Sequence, residues 1–265
     1  MLYGAMNFPV RPVLHELEAI AELGFDYLEL TMDPPQAHFT AIRQIKDELL
    51  SRLESLGMGL VCHLPSFLFL ADLTESIRKA SVDETTRSLE VAAELQPLKV
   101  VLHPGYITGL GTFVVDQAKD YSLESLRIIA AKAQELGLCL CIENMFPRAR
   151  SLAEPAELQE VFDQFPSLRF TLDIGHGNIG SQGASRNLAL IKAFADRISH
   201  VHASDNFGKE DNHLPLGAGT VDFRRIIKAL NDVGYDQTIT LEVFSRDKEY
   251  LKRSREKFDA VLQGL

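Results

Sequence analysis

No apolar run in this 265-residue chain approaches the ~20 residues of a bilayer-spanning helix; stretches such as 99–102 and 138–142 are far shorter. The N-terminus opens on strand-like residues without a basic segment followed by a long apolar stretch, so the expected location is cytoplasmic, with no membrane partner. Cysteine is scarce and odd in number. Cys62, Cys139 and Cys141 sit in apolar surroundings, which argues against a disulfide framework and for reduced, buried thiols. Basic charge is also short: 27 Lys and Arg against 37 Asp and Glu leave a net charge of -10, which opposes capture of a long nucleic acid. A Gly-rich phosphate turn after the first strand is missing, since residues 7–12 read Asn-Phe-Pro-Val-Arg-Pro, and this disfavours an open dinucleotide-binding sheet.

What is present is repetition. Strand-like runs at 2–7, 25–30, 59–63, 99–103, 138–143, 169–173, 198–202 and 238–243 alternate with helix-period segments at 13–23, 41–56, 75–95, 123–136, 155–165, 187–196, 223–233 and 247–262. Eight strand-helix units close most economically as a parallel (β/α)8 barrel, an α/β fold. With no composition break, residues 1–265 read as one TIM-barrel domain, and 46% hydrophobic content supplies its core. Gly24, Gly57, Gly137 and Gly234 each stand where a helix should end before the next strand. The segments that follow strands are longer and richer in Pro, Gly and polar residues, notably 104–122, 175–185 and 203–222, which places functional loops at the carboxyl-end face.

The strands end in metal-binding chemistry. His63, His103, Glu143, Asp173, His202 and Glu242 close six of them, and parallel strands in a barrel bring such ends to one mouth. His176, three residues after Asp173, and the Asp211/His213 pair extend the set to nine candidate ligands. Any one of these is about as readily a satisfied structural polar group. Nine in recurring positions favour a divalent-cation site, with more ligands than one ion needs.

These residues resemble the xylose isomerase-like barrel superfamily, which contains sugar isomerases and epimerases as well as endonuclease IV-like enzymes. The resemblance spans essentially the whole chain. It is carried by Cys62-His63-Leu64-Pro65, Leu102-His103-Pro104-Gly105, Ile142-Glu143-Asn144, Leu172-Asp173-Ile174-Gly175-His176, His200-Val201-His202-Ala203-Ser204-Asp205, the segment 211–219 and Leu241-Glu242. In the isomerase and epimerase branch it implies one divalent ion on Glu143, Asp173, His202 and Glu242, with Glu143 and Glu242 also moving protons through an enediolate. In the endonuclease IV branch it implies three zinc ions on all nine positions and hydrolysis of a phosphodiester, so the resemblance implies one to three divalent ions per chain, Mn or Zn.

The loop after Glu143, Asn144-Met145-Phe146-Pro147-Arg148, departs from the small Gly-containing turn of the nuclease branch. The loop after His202, with Asp205-Asn206-Phe207-Gly208-Lys209, lacks the dense basic character needed to grip a kinked duplex. The expected activity is therefore metal-dependent isomerisation or epimerisation of a small sugar or sugar phosphate; a multinuclear zinc phosphodiesterase is the alternative. Arg148 and Lys209 are the candidate substrate-binding cations, with Arg150 and Arg186 nearby, although solvated surface charge explains each as simply. Phe67, Phe69, Phe113 and Phe146 are candidate pocket walls. Glu29, ending the second strand, reads either as a contact to ligand or an imidazole or as barrel-mouth structure, and His15, His38 and His200 read as structural. Barrels of this type commonly pair, so a homodimer is the expected assembly.

Overall fold

The computed structural model describes residues 1–265. Its strands are β1 (Leu2–Met6), β2 (Tyr27–Thr31), β3 (Gly59–His63), β4 (Val100–Leu102), β5 (Leu140–Glu143), β6 (Arg169–Asp173), β7 (Ile198–Ala203) and β8 (Thr238–Leu241), all parallel and closed in sequence order by pairing of β8 with β1. The helices are α1 (Val13–Glu22), α2 (Phe39–Leu56), α3 (Glu75–Leu95), α4 (Val115–Glu135), α5 (Pro155–Gln164), α6 (Ile174–Asn178), α7 (Ser185–Phe194), α8 (Phe223–Asp232) and α9 (Glu249–Gln263).

Apolar residues at alternate strand positions face outward, where they meet the helices in a core cluster of 58 buried side chains. Phe162, Phe170 and Phe194 anchor one side of it, their rings meeting edge to face at 5.1 to 6.0 Å. The four helix-ending glycines all adopt positive φ, from 64° to 77°, a turn that side chains with a Cβ resist.

Two expectations needed correction. The helix before β5 begins at Val115, not 123, because its first two turns bury Ala118 and Ser122, small residues that give a weak apolar period. The 175–185 loop likewise starts with the one-and-a-half-turn α6, nucleated where the Asp173 side chain caps the His176 backbone N–H. Among the cysteines, Cys62 and Cys141 are buried but Cys139 is exposed, since it precedes β5 at the amino-end rim.

The inward-facing positions form layers along the barrel axis. Tyr27, Val61 and Val101 make a small buried cluster of their own, and each lies two residues before Glu29, His63 and His103 respectively. Gly4 makes room for this layer: a Cβ there would come within 2.1 Å of the Tyr27 ring. The next layer toward the carboxyl end is almost wholly polar, and that change of chemistry within two residues creates the site.

Candidate metal centre and active site

All nine candidate ligands meet at the carboxyl-end mouth. Glu143 lies at the centre: its Oε2 is 3.5 Å from His63 Nε2, 3.2 Å from His103 Nε2 and 3.4 Å from His202 Nδ1, and its Oε1 is 3.2 Å from His176 Nδ1. His202 Nδ1 also faces Asp173 Oδ2 at 3.7 Å and Glu242 Oε1 at 3.3 Å. On the outer side Asp211 Oδ2 bridges His176 Nε2 at 3.2 Å and His213 Nε2 at 2.9 Å, and His213 Nδ1 turns toward Glu242 Oε2 at 3.7 Å.

Register explains the convergence. Asp173 pairs with His202 across β6 and β7, Thr171 pairs with Glu143 across β5 and β6, and Ala203 pairs with Leu241, immediately before Glu242. Two supports then fix the side chains. Asn144 accepts the Asp173 backbone N–H at 2.8 Å and donates to the Asp173 carbonyl at 3.0 Å, while its own carbonyl accepts from His176 Nδ1 at 2.9 Å. Asp205, fully buried, accepts backbone N–H groups from Asn206, Gly217, Gly219 and Val221 at 2.7 to 3.0 Å and so clamps the loop that carries Asp211 and His213. Gly219 is required there, because a Cβ would sit 2.3 Å from the Asn206 carbonyl oxygen.

Three buried atoms at the centre lack any hydrogen-bond partner: Glu143 Oε2, Asp173 Oδ2 and His202 Nδ1. Their residues form a group whose ligand atoms lie within 4.8 Å of one another, and His63, His103 and Glu143 form a second such group. Buried lone pairs left unpaired are costly, and crowded carboxylates repel; a cation relieves both. The donor set of carboxylate oxygens and imidazole nitrogens fits a divalent ion such as Mn or Zn.

The charges are strongly coupled. Burial raises the Glu143 pKa, but the charges of His103 and His202 and the close approach of His103 and His176 outweigh it and hold the carboxyl well below its usual range. Glu242 behaves oppositely: burial, reinforced by Asp173 and Glu143 against the pull of His202 and His213, pushes it up to about 7. The two carboxylates thus differ sharply in proton affinity.

A third group, Glu29 with His200 and His202, resembles a metal site only in composition. Glu29 Oε1 accepts from His202 Nε2 at 3.0 Å, and Oε2 accepts from His200 Nε2 at 2.9 Å and from the Thr240 hydroxyl, so its carboxylate is already satisfied. The chain of contacts continues from His200 Nδ1 to Thr238 Oγ1 at 2.8 Å, which Lys99 Nζ reaches at 3.0 Å. Sequence reasoning offered Glu29 as a contact to an imidazole or as barrel-mouth structure and left His200 as structural; the structure joins both to His202. The available signal was spacing: His200 and Thr240 each stand two residues before a ligand, on the same strand face.

The mouth opens into a cavity of about 1250 Å³ that takes in His63, His103, Glu143, His176, Asp211, His213 and Glu242. Phe67, Phe69 and Phe146 line it as expected; Phe113 does not and is exposed elsewhere. Arg148 and Lys209 are exposed and outside its lining, as is Arg150, while Arg186 turns away to Glu154 and to the carbonyls of Gly177 and Ile179. Arg148 sits in a short 3-10 turn, Pro147–Ala149, directly after Phe146, which does line the cavity.

A family model described as a xylose isomerase-like TIM barrel matches residues 17–262. An uncharacterized protein of Methanocaldococcus jannaschii is 34% identical over 97% of this chain and 92% of its own length. A ketose 3-epimerase of Arthrobacter globiformis is 26% identical over 90% of this chain and 80% of its own. Among solved structures, a D-tagatose 3-epimerase-like protein superposes with a TM-score of 0.87 at 30% identity, covering 99% of this chain and 97% of that one.

Proposed function

This chain belongs to the xylose isomerase-like TIM barrel family, and from that premise we propose that residues 1–265 act as one barrel domain catalysing divalent-cation-dependent epimerisation of a ketose. The observation that carries the reading is the trio of unpartnered buried atoms, Glu143 Oε2, Asp173 Oδ2 and His202 Nδ1, with Glu242 facing His202 beside them. The ketose 3-epimerase named among its relatives supports the same reaction class.

Glu143, Asp173, His202 and Glu242 would hold the cation. A cation bound there would polarise the ketose carbonyl and stabilise the negative charge that develops on its oxygen. Glu143 and Glu242 are the proton-transfer groups: one withdraws the carbon-bound proton beside the carbonyl, and the other returns a proton to the opposite face, inverting that carbon. This role requires each to coordinate through one oxygen and keep the other for substrate. His63, His103 and His176 surround Glu143 and hold it ionised.

A specific observation favours a second reading. The separate His63, His103 and Glu143 group, with His176, Asp211 and His213 beyond it, offers ligands for two or three zinc ions, the arrangement that suits phosphodiester hydrolysis. Against it, no Lys or Arg lines the cavity to meet a phosphate backbone. Incubation with a ketose and Mn in deuterium oxide tests the choice: deuterium at the inverted carbon supports epimerisation, and cleavage of an abasic duplex without any exchange supports hydrolysis. Glu143→Gln should lower the favoured rate by about 10²-fold or more.

A further inference from the structure

The cavity is much larger and more apolar than a free ketose requires. Its volume of about 1250 Å³ exceeds the ~300–1,000 Å³ typical of sites that enclose a drug-sized ligand. From the carboxylates and imidazoles it runs sideways over the ends of β1 to β3 to the first turns of α3, between Phe8, Phe67, Phe69, Ile77 and Phe244. These side chains are exposed, Phe67 at 75%, so the groove presents a contiguous apolar surface to solvent instead of closing on itself. These five side chains offer no hydrogen-bonding group to a sugar hydroxyl; the polar groups of the groove, such as Ser76, Ser81 and Glu84, flank them.

Charge narrows the occupant. The lining contains no Lys or Arg, and its distal polar groups include Asp33, held by the Ser66 backbone and hydroxyl, and Glu84, which pairs with His38 Nε2 at 2.6 Å. A phosphate or carboxylate placed along this groove would meet acidic groups and no Lys or Arg, the one nearby imidazole, His38, being already engaged by Glu84. The groove is continuous with the metal-ligand cluster, so one molecule can occupy both.

Building on the epimerase reading, we infer that the substrate is a ketose conjugate: a ketose whose terminal carbon carries an apolar, non-anionic substituent that lies against Phe67 and Phe69. A phosphorylated ketose is the wrong partner for this groove. The sugar portion stands at Glu143 and Glu242, and the substituent supplies binding that a free ketose lacks.

The test compares three probes on the Mn-supplemented protein: a free ketohexose, the same sugar carrying a benzyl ether at a terminal carbon, and its terminal phosphate. Kd by calorimetry and kcat/KM by epimer formation are measured for each. The benzyl ether should exceed the free sugar at least about tenfold in both, as expected for burying one ring, and the phosphate should be the weakest. In a Phe67→Ser/Phe69→Ser variant, checked for native melting, the ratio of benzyl ether to free sugar should fall toward one. Equal treatment of benzyl ether and free sugar overturns the inference while leaving the epimerase reading intact, and so does preference for the phosphate. A stable dimer that Phe67→Ser dissociates overturns it in favour of a second copy of the chain. Conversion of none of the three overturns the epimerase reading and the inference together.

Discussion

Glu29 accepts a hydrogen bond from His202 Nε2 at 3.0 Å in a fully buried pair, and this contact leaves His202 Nδ1 facing Glu143, Asp173 and Glu242. A carboxylate only accepts, so the ε nitrogen must carry the proton and the δ lone pair is the one offered to a cation. The same carboxylate accepts from His200 Nε2, and that second bond fixes its plane. Glu29→Gln keeps the volume but turns an N–H toward one of the two imidazoles. The expected result is a ~10–100-fold loss of Mn affinity by calorimetry with the fold retained; unchanged affinity would remove Glu29 from the account.

The metal-free protein should lose stability as pH rises above neutrality. Burial lowers the His63 pKa, yet the neighbouring Glu143 carboxylate raises it to about 9, above its ordinary 6.5. His176 and His202 also stand well above 6.5, against burial and because of the carboxylates around them. Groups raised in the folded state stabilise it fully below 6.5, and that contribution disappears as pH climbs through the folded value. His200, which burial lowers to about 4, acts only below 6.5. His63 alone should therefore cost the metal-free chain on the order of 2–3 kcal/mol between pH 6.5 and 9, and His176 and His202 act in the same direction. Melting curves across that range check it, and added Mn should raise the Tm more at pH 9 than at pH 6.5.

Asp205 carries no chemistry but holds the outer loop through four backbone N–H groups. Asp205→Ala leaves these donors without their acceptor, at a cost of about 3 kcal/mol or more. Denaturant unfolding should show that loss, and hydrogen exchange should show lost protection around residues 211–219. A change confined to the surface, below about 0.5 kcal/mol, would contradict the clamp.

The barrel and the gathering of nine candidate ligands at its mouth were legible because strand ends and candidate ligands coincide: His63, Glu143 and Asp173 each close a strand, and His103 and Glu242 follow one directly. The layer beneath was less legible. Glu29, His200 and Thr238 lie inside strands, where a polar residue is weak evidence until neighbouring strands are placed beside it in register. The cavity's extent was also hidden, since Phe8 and Phe244, which follow β1 and β8, are distant in sequence from Phe67, Phe69 and Ile77. Arg148 and Lys209 drew attention by charge and by loop position, but side-chain direction on a loop is set by local turns that composition does not reveal.

The central claim is that Glu143, Asp173, His202 and Glu242 form one cation site. Calorimetric titration of the chelator-treated protein with Mn tests it most directly. The account predicts saturable binding of at least one ion per chain, weakened by at least about tenfold in both Glu143→Gln and Asp173→Asn while both variants retain native melting behaviour. A folded protein that takes up no Mn or Zn, or variants that bind as tightly as the parent, would contradict it.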